Sequence, residues 1–137
     1  MVGRGVNWKF PCYNAGMKNI IIISIVLIMP VAVWAGRIHP ERFYQEKWCL
    51  EQGGQSEYRL PDMTRCDCLT DEYAIEFDFA NKWAEAVGQS LYYAMQTGKR
   101  AGIVLIIEKE ADRKYLIRLN STILHFRLPI RVWVVSP

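Results

Sequence analysis

Apolar and polar positions alternate through residues 65–79, Arg-Cys-Asp-Cys-Leu-Thr-Asp-Glu-Tyr-Ala-Ile-Glu-Phe-Asp-Phe. Cysteine, β-branched and aromatic residues take alternate positions on either side of a polar break at 70–73, which predicts two strands folded back on each other. With Asp71 and Glu72 at the turn, Asp67 lies across the hairpin from Glu76, and Asp78, two residues further on, shares their face. The opposite face carries Cys66, Cys68, Ile75, Phe77 and Phe79.

The same patterning supplies the other elements. Residues 41–51 read as a helix, with Pro40 suited to its first turn and Gly53-Gly54 ending it. A first strand follows over 55–60, closed by the turn-forming Pro61-Asp62. After the hairpin, Ala84, Val87, Gly88, Leu91, Ala94 and Met95 recur at helical spacing and predict a helix over 81–96 that packs through that stripe. Lys82, Glu85, Gln89, Tyr92 and Gln96 take its polar side. Residues 101–108 form a continuous apolar run, the mark of a strand buried on both faces. A less regular helix over 114 to about 126 and a strand over 130–135 complete the chain. The order αβββαβαβ predicts an α/β (α+β) domain with a mixed four- to five-stranded sheet flanked by helices.

A length of 137 residues allows one domain. The net charge of +3 comes from Arg4, Lys9 and Lys18, which precede any acidic residue; from Gly36 onward the charges balance, so net charge gives no argument for a nucleic-acid partner. Met17-Lys18-Asn19, an apolar run over 20–29 and small residues at Val33-Trp34-Ala35 read as a signal peptide cleaved before Gly36, with Met17 the true start. Residues 1–35 are then an upstream extension plus signal peptide, and 36–137 are the mature domain. Left uncleaved, this segment would be the contact with a membrane, although it falls short of the roughly 18–20 residues of a spanning helix. The protein is therefore expected to be exported, periplasmic or secreted. Cys12 is lost with the leader, and an oxidising compartment favours one disulfide from Cys49 to Cys66 or Cys68. Cys-x-Cys without a nearby His lacks the spacing of a structural zinc site.

Three carboxylates on one face of a hairpin repel one another unless a cation or a proton intervenes. Asp67, Glu76 and Asp78, with Lys82 following at the start of a helix, suit a hard divalent cation such as Mg2+ or Mn2+. A lysine at that place could orient an attacking water or neutralise charge developing on phosphorus. Glu41 and Glu46 read as a solvated helix face, and His39 and His125 as structural. Neither a glycine-rich phosphate loop nor a nucleophile elbow is found.

The order of elements, with an Asp in one strand and a Glu in the next, resembles the PD-(D/E)xK nuclease superfamily, in particular its restriction-endonuclease-like and Holliday-junction-resolvase-like members. The resemblance spans roughly residues 40–135. It implies that Asp67 is the acidic residue of the middle strand, that Glu76 in Glu76-Phe77-Asp78 is the Glu of the motif, and that Gln89 is the glutamine many members carry on the next helix. Asp78 stands where the motif has lysine, and Lys82 is placed to replace it. What the resemblance implies is an exported metal-dependent endonuclease hydrolysing DNA. Asp67, Glu76 and Asp78 would hold Mg2+ or Mn2+, Glu76, Lys82 and Gln89 would be catalytic, and a homodimer would be the assembly. The alternative is an exported, non-catalytic interaction domain on a degenerate nuclease fold.

Overall fold

In the computed structural model, which describes residues 36–137, Pro40 precedes helix α1 (Glu41–Glu51) with an extended backbone (φ −66°, ψ 151°). The expected leader and Cys12 lie outside the described residues. Strands β1 (Gln55–Arg59), β2 (Arg65–Leu69) and β3 (Tyr73–Phe79) follow, then a 3-10 turn (Ala80–Lys82) and helix α2 (Trp83–Thr97). Strand β4 (Arg100–Ile106), a second 3-10 turn (Glu110–Asp112), helix α3 (Arg113–Phe126) and strand β5 (Ile130–Val135) complete the fold. The two 3-10 turns depart from the expected order; each forms where a strand that has just left the sheet tightens into a helix.

The strands make one five-stranded mixed sheet in the order β1-β2-β3-β4-β5. The pairs β1/β2 and β2/β3 are antiparallel, whereas β3/β4 and β4/β5 are parallel and reached through α2 and α3. Every residue of β3 is buried. The sequence alternation of that strand reflects two covered faces, one apolar under α1 and one acidic under α2.

Under α1, Cys49 and Trp48 pack with Tyr73, Ile75, Phe77, Val104 and Trp133. The disulfide joins Cys49 to Cys68, with Cα atoms 5.8 Å apart. Gly54 must be glycine there, because a Cβ would lie 2.6 Å from Cys68 Sγ and 2.9 Å from Cys49 Sγ. Cys66 remains a buried free thiol. It packs with Leu60, Ala74 and Tyr93 rather than in the cluster around Cys68, where strict alternation had put it. Among the described residues no helix is long and apolar enough to cross a membrane.

On the other face, Ala86 of α2 and Leu119 of α3 pack against Ile103 and Leu105. The buried stripe of α2 is Ala86, Ser90 and Tyr93. Of the expected stripe, Ala84, Gly88 and Met95 are exposed. The reason is steric: Ala86 and Ser90 are small enough to bring the helix onto the sheet, and the Ser90 hydroxyl donates to the Val87 carbonyl at 3.1 Å, so its burial leaves no unmet donor.

Candidate active site

Parallel pairing sets Glu76 beside Ile103 and Asp78 beside Leu105, so both acids project with those core residues to the α2 side of the sheet. They are 6% and 2% exposed. On the hairpin, ladder pairs form at Cys68↔Ile75 and Leu69↔Ala74. The next step brings Asp67 opposite Glu76, and here the strands part: the Phe77 N–H donates to Asp67 Oδ2 at 2.8 Å. The Asp67 carbonyl accepts instead from Gln45 Nε2 of α1, also at 2.8 Å. The fork between β2 and β3 opens a cleft of about 410 Å³ that gathers Asp67, Glu76, Asp78, Lys82 and Gln89. All the residues singled out from the sequence thus line one cavity.

The same cavity is lined by Glu41, Arg65, Glu85 and Tyr93. Glu41, read from the sequence as solvated, is a correction: it is the first residue of α1 and reaches the cleft, where burial first and then Asp67 raise its pKa. Glu57 is a second addition. It is opposite Asp67 in the β1/β2 register but out of the ladder, with φ +57°, a conformation that costs a non-glycine residue about 1 kcal/mol. Its carboxylate accepts from buried Gln45 at 2.8 Å and pairs with Arg65 at 2.6 Å. A left-handed backbone at Glu57 and a distant partner on α1 have no local sequence signal. Glu41 could have been flagged by its position at the head of the first helix.

So many acids in a partly dry space shift one another. Burial first, then Asp67 and Asp78, push Glu76 far above the carboxylate range, so without a cation it carries a proton at neutral pH. Asp67 is raised chiefly by burial, against the pull of the Phe77 N–H. Asp78 is raised by burial to about 6 even though Lys82 opposes the shift. Lys82 Nζ lies 3.6 Å from Asp78 Oδ1 and 3.4 Å from Glu85 Oε2, and Asp78 is the main cause of its raised pKa.

Glu76 Oε2 and Asp78 Oδ1 are buried without a hydrogen-bond partner, and of the two only Asp78 Oδ1 has a cation near it, Lys82 Nζ at 3.6 Å. A buried carboxylate oxygen in that state needs a proton or a cation, and hard oxygen donors of this kind fit Mg2+ or Mn2+. Among the described residues no group of three or more His, Cys, Asp or Glu side chains is arranged to hold a metal ion. Asp67 has one oxygen committed to the Phe77 N–H, and Asp78 leans on Lys82. Comparison with protein families, characterised proteins and solved structures finds no match for the chain.

Proposed function

We propose that the cleft is the site of an exported, divalent-cation-dependent phosphodiesterase acting on DNA, on a restriction-endonuclease-like fold. The observation that carries this reading is the buried Glu76 Oε2, which has no hydrogen-bond partner, beside a buried Asp78 whose Oδ1 meets only the Lys82 ammonium at 3.6 Å, in one cavity with Asp67 and Gln89. Asp67, Glu76 and Asp78 would hold Mg2+ or Mn2+ once their side chains turn toward one ion, since as they stand the three are not arranged to do so. Bound there, the ion supplies a polarised phosphoryl oxygen and a more acidic water. Lys82, 45% exposed at the cleft lip, orients the attacking water or faces the charge developing on phosphorus. Gln89, about two turns on from Lys82 and lining the same cavity, positions the phosphate by its amide. The disulfide fits the oxidising compartment that export supplies.

A second reading, an exported interaction domain without catalysis, draws on one observation. Lys82 is already paired with both Asp78 and Glu85. The two readings separate in one assay: hydrolysis of plasmid and branched DNA by the chain in Mg2+ or Mn2+, beside Glu76→Ala. Cation-dependent cleavage lost in the variant supports the phosphodiesterase; equal cleavage by the variant removes Glu76 from the site, and no cleavage by either favours the interaction domain.

A further inference from the structure

Strands β3 and β4 run parallel from Tyr73↔Arg100 to Phe79↔Ile106, so both leave the sheet at the same end. There β3 passes through the Ala80–Lys82 turn into α2, and β4 passes through the Glu110–Asp112 turn into α3. Tyr115, in the first turn of α3, packs in one cluster with Ala80 and Trp83, the residues that bracket Asn81 and Lys82. The start of α3 therefore stands beside the lip of the cleft that Lys82 occupies.

Two cations flank Tyr115. Lys114 Nζ lies 5.0 Å and Arg118 Cζ 5.4 Å from its ring centroid, and both residues are exposed. Helix α3 contains no Asp or Glu. The nearby Glu110 is taken by Arg113 at 2.7 Å. The four-residue step from Lys114 to Arg118 advances about 6 Å along the helix, close to two nucleotide steps of one strand. The cleft itself is lined by Glu41, Asp67, Glu76, Asp78 and Glu85 against two cations, Arg65 and Lys82, both already ion-paired, so most of the attraction for a polyanion has to come from cations beside it.

We infer that Lys82, Lys114 and Arg118, on a floor made by Trp83 and Tyr115, form a track that holds the phosphodiester backbone of DNA where it leaves the cleft. The inference rests on the phosphodiesterase reading for the class of polymer and adds where the flanking strand lies. The ring contacts hold the two cations at fixed places over Tyr115, which lowers the ordering cost of meeting two phosphates of one strand.

The test is fluorescence anisotropy of a labelled DNA duplex of two helical turns with the full chain, over about 50–200 mM salt. In the double variant Lys114→Gln/Arg118→Gln, the slope of log K against log salt falls by about 1.8, as expected for two lost phosphate contacts, and affinity falls roughly tenfold or more at the lower salt. The control Arg42→Gln/Lys47→Gln, on α1 across the sheet, keeps the wild-type slope. An unchanged slope in the first variant, an equal fall in the control, or no binding by the wild-type chain overturns the track. So does tighter, track-dependent binding to anionic phospholipid vesicles than to the duplex. The cleavage assay run on the same proteins separates the two claims. Track-dependent binding by a wild-type chain that never cleaves keeps the track and removes the phosphodiesterase, whereas cleavage with no loss of slope in the Lys114/Arg118 variant does the reverse.

Discussion

Gln45 Nε2 donates to the main-chain carbonyl of Asp67 at 2.8 Å, across from α1 to the strand whose side chain lines the cleft. Gln45 is 3% exposed, and the same nitrogen also donates to Glu57. The bond takes the place of ladder pairing where Glu57 drops out of the β1/β2 register. Replacing Gln45 by Leu leaves the Asp67 carbonyl without that donor. The expected cost is about 1–3 kcal/mol of stability, measured by urea unfolding, together with a loss of cleavage beyond what the lower stability explains. Gln45→Glu, which keeps the shape but puts another carboxylate beside Glu57, is expected to be no better.

The acids make stability fall with pH. Because the pKa values of Asp67, Glu76 and Asp78 are higher in the folded chain than in the unfolded one, the folded state holds extra protons. Their contribution is full below the unfolded value of 3.8 for Asp78 and is lost as pH rises through its folded value of about 6, and higher still for Glu76. Thermal melts without divalent cation are expected to show Tm falling across that window. Mn2+ raises Tm at neutral pH, and Asp78→Asn raises it without the ion while flattening the profile. A Tm independent of pH between 4 and about 7 contradicts this ordering of the acids.

The disulfide closes a segment whose ends are 19 residues apart, which in the chain-entropy account is worth about 3 kcal/mol. Cys49→Ser/Cys68→Ser is expected to lower the urea midpoint accordingly. Gly54→Ala acts through the same bond, since its Cβ would crowd both sulfurs. Cys66, whose thiol burial pushes up to about 12, is expected to resist alkylation until the chain unfolds. Peptide mapping after native and denaturing alkylation checks both points.

Lys82→Ala removes the cation at the lip while leaving α2 intact, because the side chain is 45% exposed and caps nothing by a side-chain bond. Cleavage is expected to fall about 100-fold in kcat with little change in KM, the mark of an interaction made in the transition state. A change in KM alone would place Lys82 in ground-state binding.

Much of the site is written in the sequence because it rests on short-range periodicity. Asp67, Glu76 and Asp78 share a face by strand alternation, and Lys82, at the N-cap of α2, and Gln89 within it follow at a spacing that a 3.6-residue repeat keeps together. The element types and the mixed sheet are legible for the same reason. What alternation misses is set by tertiary packing. It assigns Cys66 to the side of Cys68, whereas Cys66 packs with Leu60, Ala74 and Tyr93. It gives α2 an apolar stripe through Met95, which is 69% exposed, because the large ring of Tyr93 and the small Ser90 make the better fit to the sheet. Glu41, Gln45 and Glu57 come to the neighbourhood of Asp67 from other elements, and only Glu41, at the head of its helix, has a local signal.

Manganese binding to the chain, followed by calorimetric titration beside Glu76→Gln, tests most directly that this cleft is a cation site. The account predicts saturable binding by the wild-type chain, with release of protons as Glu76 gives up its own, and loss of that binding in the variant. Equal binding by both proteins, or none by the wild type, would contradict it.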